Sequence, residues 1–181
     1  MRGVAQGKPM FWGKALPYDS WSNKLIPQQS GGRTSRSFVE QFAQGAFGSD
    51  LARSDVVATW NHNPQFLLGR TQAGTLRLKD EADGLYVECD RVNTSYANDL
   101  AALIDSGDIA GMSFQFRSIA HTMARLADHD QITIKQAHLR EVSFVTNPCY
   151  ANTEANSRDM QITSKIDPLV LKWFHLLGTI D

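Results

Sequence analysis

Cysteine is scarce in this chain: Cys89 and Cys149 are the only two among 181 residues. Two cysteines cannot build a disulfide framework, and no CxxC pair indicates zinc or redox chemistry. The sequence therefore favours a reducing compartment. It also predicts an activity that needs neither a metal nor a cofactor.

Long apolar runs and an excess of one charge are also missing. No stretch approaches the 18 or so apolar residues of a membrane span, and the first ten residues lack the apolar run of a signal peptide. The chain has 18 basic and 19 acidic residues, a formal net charge of -1, so nothing attracts it globally to nucleic acid or an anionic membrane. We therefore expect a cytoplasmic protein with neither a membrane nor a nucleic-acid partner.

The composition itself is that of an ordinary folded domain. Hydrophobic residues make up 42% of the chain and charged residues 20%, and a chain of this length buries roughly 70% of its unfolded surface on folding. The sequence predicts one domain over residues 1–153. Residues 154–181 are predicted to be a polar linker followed by a short helix, serving as a removable tail or a docking segment.

Period-two alternation dominates the chain and predicts a mainly β fold with a few helices. A turn is predicted at 68–71. One amphipathic helix is predicted from Ser95 to Asp105, with Thr94 or Ser95 as N-cap and Gly107 as its stop. A last helix is predicted near 167–177. The predicted strands cover residues 10–16, 38–42, 55–60, 76–78, 85–89 and 109–118, two strands or a hairpin within 121–135, and 139–146.

Three separated polar residues stand in these apolar surroundings. His62 follows a predicted strand, Ser113 lies on the face of its strand opposite Met112 and Phe114, and Glu141 lies within a strand. Acyl transfer by serine needs a nucleophile, a base and an orienting carboxylate, and these three residues supply those roles. Their order, His-Ser-Glu, differs from that of chymotrypsin, subtilisin and the α/β-hydrolases, and the serine is not in a GxSxG elbow.

Each of the three residues also has a purely structural interpretation when it is taken alone. His62 could bond nearby backbone in a turn, Ser113 could be an ordinary strand serine, and Glu141 could pair with Arg140 at the surface. Three further histidines are spaced nine or eight residues apart, at 121, 129 and 138. That spacing fits no compact metal-ligand motif, so solvated histidines are favoured there.

The motifs around these residues resemble those of the prohead maturation proteases of tailed bacteriophages, over about residues 10 to 153. Each motif alone is weak, but their order and spacing together are specific. The matching segments are Tyr18-Asp19-Ser20, Glu40 with Gly45-Ala46-Phe47, Asn61-His62-Asn63-Pro64, Leu68-Gly69-Arg70-Thr71, Gly74-Thr75-Leu76, Asp83-Gly84-Leu85, the run from Gly107 to Phe114, and Glu141-Val142-Ser143 followed by Asn147-Pro148.

The resemblance implies a fold similar to the herpesvirus assemblin proteases, a compact β-barrel flanked by helices. It implies His62 and Ser113 as the catalytic pair, with Glu141 as the acidic third member. The expected substrates are the scaffold protein, the scaffold-like segment of the major capsid protein, and the protease itself. The expected setting is the assembling procapsid in the host bacterial cytoplasm, and a homo-oligomer is left open.

Two other functions are compatible with the sequence. A catalytically silent scaffold or structural component of capsid assembly would keep the fold but cut nothing. A generic intracellular hydrolase would turn over small esters and ignore capsid protein. Both differ from a procapsid protease in what they do to capsid protein, which makes them experimentally separable.

Overall fold

Two β-sheets and one helix make up the part of the chain that this computed structural model describes, residues 10–26, 36–48, 51–90 and 94–157. No helix in those ranges is long and apolar enough to cross a membrane. In chain order the elements are β1 (Phe11–Pro17), β2 (Phe38–Phe42), β3 (Val57–Trp60), β4 (Asn63–Arg70), β5 (Leu76–Glu81), β6 (Gly84–Cys89), α1 (Ser95–Asp105), β7 (Gly111–Arg125), β8 (Asp130–Val145) and β9 (Asn156–Ser157).

The first sheet is antiparallel, in the order β5-β6-β1-β9. Its inward residues alternate along each strand, as expected for a sheet with one buried face. Phe11, Leu85 and Val87 are at most 1% exposed. Across the core, the Phe11 ring lies 5.5 Å from that of Phe144 in the second sheet.

The second sheet is organised around the long strand β8. Along one edge β8 pairs antiparallel with β7 for nearly its whole length. Along the other edge its first half pairs in parallel with β2 and its second half in parallel with β3, which in turn pairs with β4. Between β2 and β3, the Ala137 amide donates to the Ala46 carbonyl at 2.9 Å, so a loop fills the gap in this edge.

The predicted mainly β class is confirmed, but the two sheets do not close into the expected barrel. Closure needs continuous pairing between neighbouring strands, and within the described ranges no ladder joins one sheet to the other. Single hydrogen bonds connect them instead. The Glu154 amide donates to the Lys14 carbonyl and the Ala155 amide to the Ala110 carbonyl, both at 3.0 Å.

The predicted helix is confirmed residue for residue as α1. Thr94 is its N-cap residue in an extended conformation, although its side chain makes no capping hydrogen bond. Gly107 follows the helix with φ +83°, a left-handed conformation that glycine adopts without strain. The Tyr96 hydroxyl donates to the Leu67 carbonyl at 2.7 Å and ties the helix to β4.

Strand β4 was missed by the sequence patterns. The segment 68–71, predicted as a turn, is largely the end of a strand, and the chain turns after Arg70 instead. Pro64 lies within β4, which is an edge strand, and an edge strand tolerates proline where the missing amide would face outward and need no partner.

The second half of the chain also departs from prediction in its lengths. The segment predicted as a strand at 109–118 begins at Gly111 and continues without a break to Arg125 as β7, and β8 unites two predicted segments. Asn156 and Ser157, expected to be linker, pair with Trp12 and Phe11 of β1. The predicted helix near 167–177 lies outside the described residues.

Glu40 is a buried carboxylic acid in β2. It is 9% exposed, its backbone amide donates to the Ser22 hydroxyl, and the Tyr150 hydroxyl donates to its backbone carbonyl at 3.3 Å. Desolvation by burial raises the pKa of Glu40 to about 7, and the tyrosine only partly opposes this. The folded protein therefore holds a proton on Glu40 at pH values where the unfolded chain has released it.

We predict that Glu40→Gln removes a pH dependence from the stability of the fold. A raised folded-state pKa contributes stability in full below the unfolded value, near 4.5. That contribution declines as the pH rises to about 7, by roughly 3 kcal/mol at most. In urea titrations from pH 4.5 to 8, the free energy of unfolding of Glu40→Gln should rise relative to that of the wild type as the pH rises. Exposed Glu81, changed to Gln, is the control, and a pH-independent difference for Glu40→Gln would contradict the prediction.

Candidate active site

His62 lies in the two-residue turn between β3 and β4. Asn61 and His62 both have positive φ angles, 51° and 56°, as in a type I′ hairpin turn, where asparagine and glycine are preferred. A histidine held in this conformation stores strain of about 1 to 3 kcal/mol. The sequence placed His62 at the end of a strand, and the structure agrees.

Backbone contacts to β8 hold this turn in place. The Asn61 amide donates to the Phe144 carbonyl at 2.9 Å, and the His62 amide donates to the Ser143 hydroxyl at 2.9 Å. The Thr146 amide returns a bond to the Asn61 side-chain oxygen at 3.2 Å. These contacts draw the turn over the end of β8.

Aromatic stacking supports the same hairpin from the helix side. The Trp60 and Phe66 rings lie 5.4 Å apart, and the Phe66 and Tyr96 rings lie 5.5 Å apart. Such contacts contribute about 0.5–1.5 kcal/mol each beyond the area they bury. The hairpin that carries His62 is therefore fixed by β8 on one side and by α1 on the other.

The structure brings the imidazole of His62 to the carboxylate of Glu141. Nδ1 lies 3.4 Å from Oε1, and the two side chains are 32% and 10% exposed. Nδ1 itself is buried and makes no hydrogen bond of normal geometry with the described residues. The solvent-exposed part of the side chain therefore lies away from Nδ1, and Nδ1 is the ring atom that faces the carboxylate. Catalytic hydrogen bonds are often long before substrate binds.

A β-bulge orients Glu141. Gln115 pairs with Glu141, but the next residue, Phe116, pairs with Leu139, so Arg140 is an extra residue in β8. Because cross-strand partners share a face, Leu139 lies with Phe116 on the core side and Glu141 on the opposite side. The expected unbroken alternation from 139 to 146, with Leu139 and Glu141 on one face, is wrong at this point.

Ser113 lies one strand away, on β7. Its cross-strand partner on β8 is Ser143, the residue that accepts the His62 amide. Ser113 is 6% exposed, and its hydroxyl forms no hydrogen bond with any described residue. As predicted, it faces away from the stripe of large apolar residues, since Phe114 and Phe116 make edge-to-face contacts with the buried Phe42 ring at 5.2 and 4.7 Å between ring centroids.

Two residues that the sequence argument did not single out complete the site. Thr59 on β3 pairs with Ser143 on β8, so Ser113, Ser143 and Thr59 form a row across three neighbouring strands. Thr59 is 2% exposed and Ser143 is fully buried. A signal for Ser143 was present, because it lies two residues beyond Glu141 on a strand and so shares its face. Nothing local indicated Thr59.

The arrangement has the elements of serine acyl transfer. A hydroxyl with no hydrogen-bond partner among the described residues and a buried carboxylate lie on adjacent strands, and a partly exposed imidazole lies in the turn after β3. Among the described residues, no group of three or more His, Cys, Asp or Glu side chains is arranged to hold a metal ion. His121 contacts Ser118 at 3.2 Å, and His129 contacts Asp128 at 2.7 Å.

A comparison with protein families decides which kind of protein this is. The family model described as caudovirus prohead serine protease matches residues 4–166 of the 181. The chain belongs to this family. The expected resemblance is confirmed, and it makes this prohead serine protease a phage protein of capsid maturation. The match also continues beyond residue 153, through the β9 segment. Searches of curated proteins and of solved structures found no match.

The start of β7 in this prohead protease is closely packed just before Ser113. A Cβ at Gly111 would lie 2.7 Å from Pro148 Cγ and 3.0 Å from the Thr153 hydroxyl oxygen. That hydroxyl also accepts the Met112 amide at 3.1 Å. A proline ring cannot move aside easily, so residue 111 tolerates no side chain without movement of the backbone.

We predict that Gly111→Ala destabilises the protein by about 1 to 3 kcal/mol, because it overpacks this contact. Urea unfolding at pH 7 measures the effect. The control is the exposed neighbour, in Ala110→Ser, which should change stability by less than about 0.5 kcal/mol. Equal stability of the two variants would contradict the close packing of Pro148 on β7.

Proposed function

We propose that this chain is a serine endopeptidase in which Ser113 is the nucleophile, His62 the general base and Glu141 the third member of a triad. The observation that carries the proposal is the meeting of a His62 ring nitrogen with the buried Glu141 carboxylate at 3.4 Å, one strand from Ser113. Membership of a serine protease family supports the same roles.

The chemistry follows from these positions. Ser113 Oγ attacks the scissile carbonyl carbon while His62 Nε2 takes the hydroxyl proton, and Glu141 stabilises the imidazolium through Nδ1. The tetrahedral intermediate collapses when the imidazolium gives its proton to the leaving amine. Water, deprotonated by His62, then attacks the acyl-enzyme and releases the second product and the serine.

The substrates we propose are the cognate scaffold protein or the scaffold-like segment of the major capsid protein, together with the protease itself. The family description names the prohead, the shell in which those proteins are packed together. Confinement raises the local concentration of protease and substrate, so cutting there does not require tight binding. The setting we propose is the procapsid within the host bacterial cytoplasm.

We expect Ser113→Ala to abolish cutting of capsid protein. Wild type and variant are each co-expressed with the cognate capsid and scaffold proteins, and fragments are identified by mass spectrometry. The wild type should yield defined fragments, including fragments of itself, and the variant only intact chains. Absence of fragments in both would favour the structural alternative. Equal cutting by both would remove Ser113 from its role, and turnover of small esters without capsid cleavage would favour a generic hydrolase.

His62→Ala and Glu141→Gln should differ in severity. When residues act as one catalytic unit, removing one of them costs about as much as removing all, so His62→Ala should be as inactive as Ser113→Ala. Glu141→Gln removes only the orienting charge and should retain about 100-fold more activity than His62→Ala. The measurement is kcat/KM on a peptide that spans the mapped cleavage site. Full activity in Glu141→Ala would indicate a dyad or a different third member.

A further inference from the structure

A pair of buried hydroxyl groups joins the base to the carboxylate. We propose that Thr59 and Ser143 are positioning residues, Thr59 for the carboxylate of Glu141 and Ser143 for the backbone of His62. The inference rests on the proposed function and deepens it. Neither hydroxyl is assigned to substrate, because Thr59 is 2% exposed and Ser143 fully buried.

One carboxylate oxygen of Glu141, Oε1, faces both Thr59 and His62. The Thr59 hydroxyl donates to Oε1 of Glu141 in a short hydrogen bond, and Oε1 is also the atom 3.4 Å from His62 Nδ1. A hydrogen bond to a charged acceptor is about twice as strong as a neutral one. Thr59 therefore holds in place the oxygen that faces the imidazole, and limits rotation of the carboxylate.

Each of the two hydroxyl groups has one proton and therefore donates one hydrogen bond. Thr59 Oγ1 also lies 3.1 Å from Ser143 Oγ, but its one proton goes to the carboxylate. Ser143 then donates its own proton to the Thr59 backbone carbonyl at 3.1 Å. The lone pairs of Ser143 remain free to accept the His62 amide at 2.9 Å. The three directions are mutually consistent: Thr59 accepts from Ser143 through its backbone carbonyl and donates to the carboxylate through its hydroxyl.

Ser143 also supports the strained turn that carries His62. His62 has φ 56°, and a residue in this region keeps its conformation only where the surroundings enforce it. Ser143 supplies the one acceptor of the His62 amide in the described structure. Ser143 also pairs with Ser113 across the β7–β8 ladder, so the same residue contacts the backbone of His62 and lies opposite Ser113.

We expect Thr59→Val to lower kcat about 10- to 100-fold while KM changes less than about 2-fold, because the lost hydrogen bond holds the Glu141 carboxylate and makes no contact with substrate. Thr59→Ser keeps the hydroxyl and should stay within about 3-fold of wild type. The matched control is Thr133→Val on β8, whose hydroxyl bonds Gln41 at 3.1 Å and whose loss should leave kcat unchanged. The substrate is the peptide that spans the mapped cleavage site.

A spectroscopic measurement separates positioning from general destabilisation. In the wild type at low temperature and mildly acidic pH, the proton on His62 Nδ1 should give a downfield resonance in ¹H NMR, shielded from exchange by the carboxylate. The resonance should be present in Thr59→Ser and lost in Thr59→Val. Its survival in Thr59→Val, or a kcat within about 2-fold of wild type, would overturn the role of Thr59.

Ser143→Ala tests the other half of the pair without relying on the threonine variants. Removal of the acceptor should speed hydrogen exchange at the His62 amide at least about 10-fold, with exchange at the Phe144 amide unchanged, and should lower kcat. Unchanged exchange at His62 would overturn the role of Ser143.

Failure of the proposed function has a different result from failure of this inference. If Ser113→Ala cuts as well as the wild type, the assignment of the site is wrong. If Ser113→Ala is inactive but Thr59→Val is fully active, only this inference is contradicted.

Discussion

The parallel pairing of β3 with the second half of β8 is the interaction on which the candidate site depends. It aligns Thr59 with Ser143 and brings the turn after β3 over the end of β8, where the His62 amide meets its acceptor. On the other edge of β8, the antiparallel ladder with β7 sets Ser113 opposite Ser143. The consecutive strands β7 and β8 and the distant strand β3 thus supply one site, through the non-local pairing of β3 with β8. Such non-local pairing is slow to form, because the loops it closes are long.

The site combines two features that are unfavourable on their own. A buried carboxylate loses hydration, and a non-glycine residue with positive φ is strained. Both are stabilised by groups of the same two strands. The Thr59 hydroxyl donates to the Glu141 carboxylate, and the Ser143 hydroxyl accepts the His62 amide. Because the sheet already fixes those hydroxyls, little further ordering is needed when the site forms. Pre-organisation of this kind is what acyl transfer requires of a base and its carboxylate.

The sequence predicted the elements well wherever the signal was local. Helix α1 has a recognisable start and a glycine stop, and the alternation around Ser113 is unbroken, so both were predicted correctly. The bulge at Arg140 was not predictable, because it is a property of two strands in register and leaves no mark on β8 alone. Strand β4 was missed since its proline is tolerated only at a sheet edge, and edge position is a matter of topology.

The hydroxyl pair was hidden for a related reason. Thr59 and Glu141 are 82 residues apart, and Ser143 is 81 residues from His62. Threonine and serine on strands are common, and their chemical meaning appears only when the strands are paired. The proposed roles of His62, Ser113 and Glu141 were predicted from residue type, order and family resemblance, whereas Thr59 and Ser143, which contact Glu141 and the His62 backbone, were not predicted to have a role.

The alternation of Ser113 with its neighbours ties the position of this residue to the packing of the core. A slip of β7 against β8 by one residue would turn Ser113 into the aromatic core and expose Phe114, because successive residues of a strand face opposite sides. Phe114 packs against the rings of Phe42 and Tyr150 at 5.2 and 5.8 Å. The same register therefore buries those rings and places Ser113 on the opposite face of β7. A chain with this ladder out of register would lose the aromatic packing and the geometry of the candidate site together.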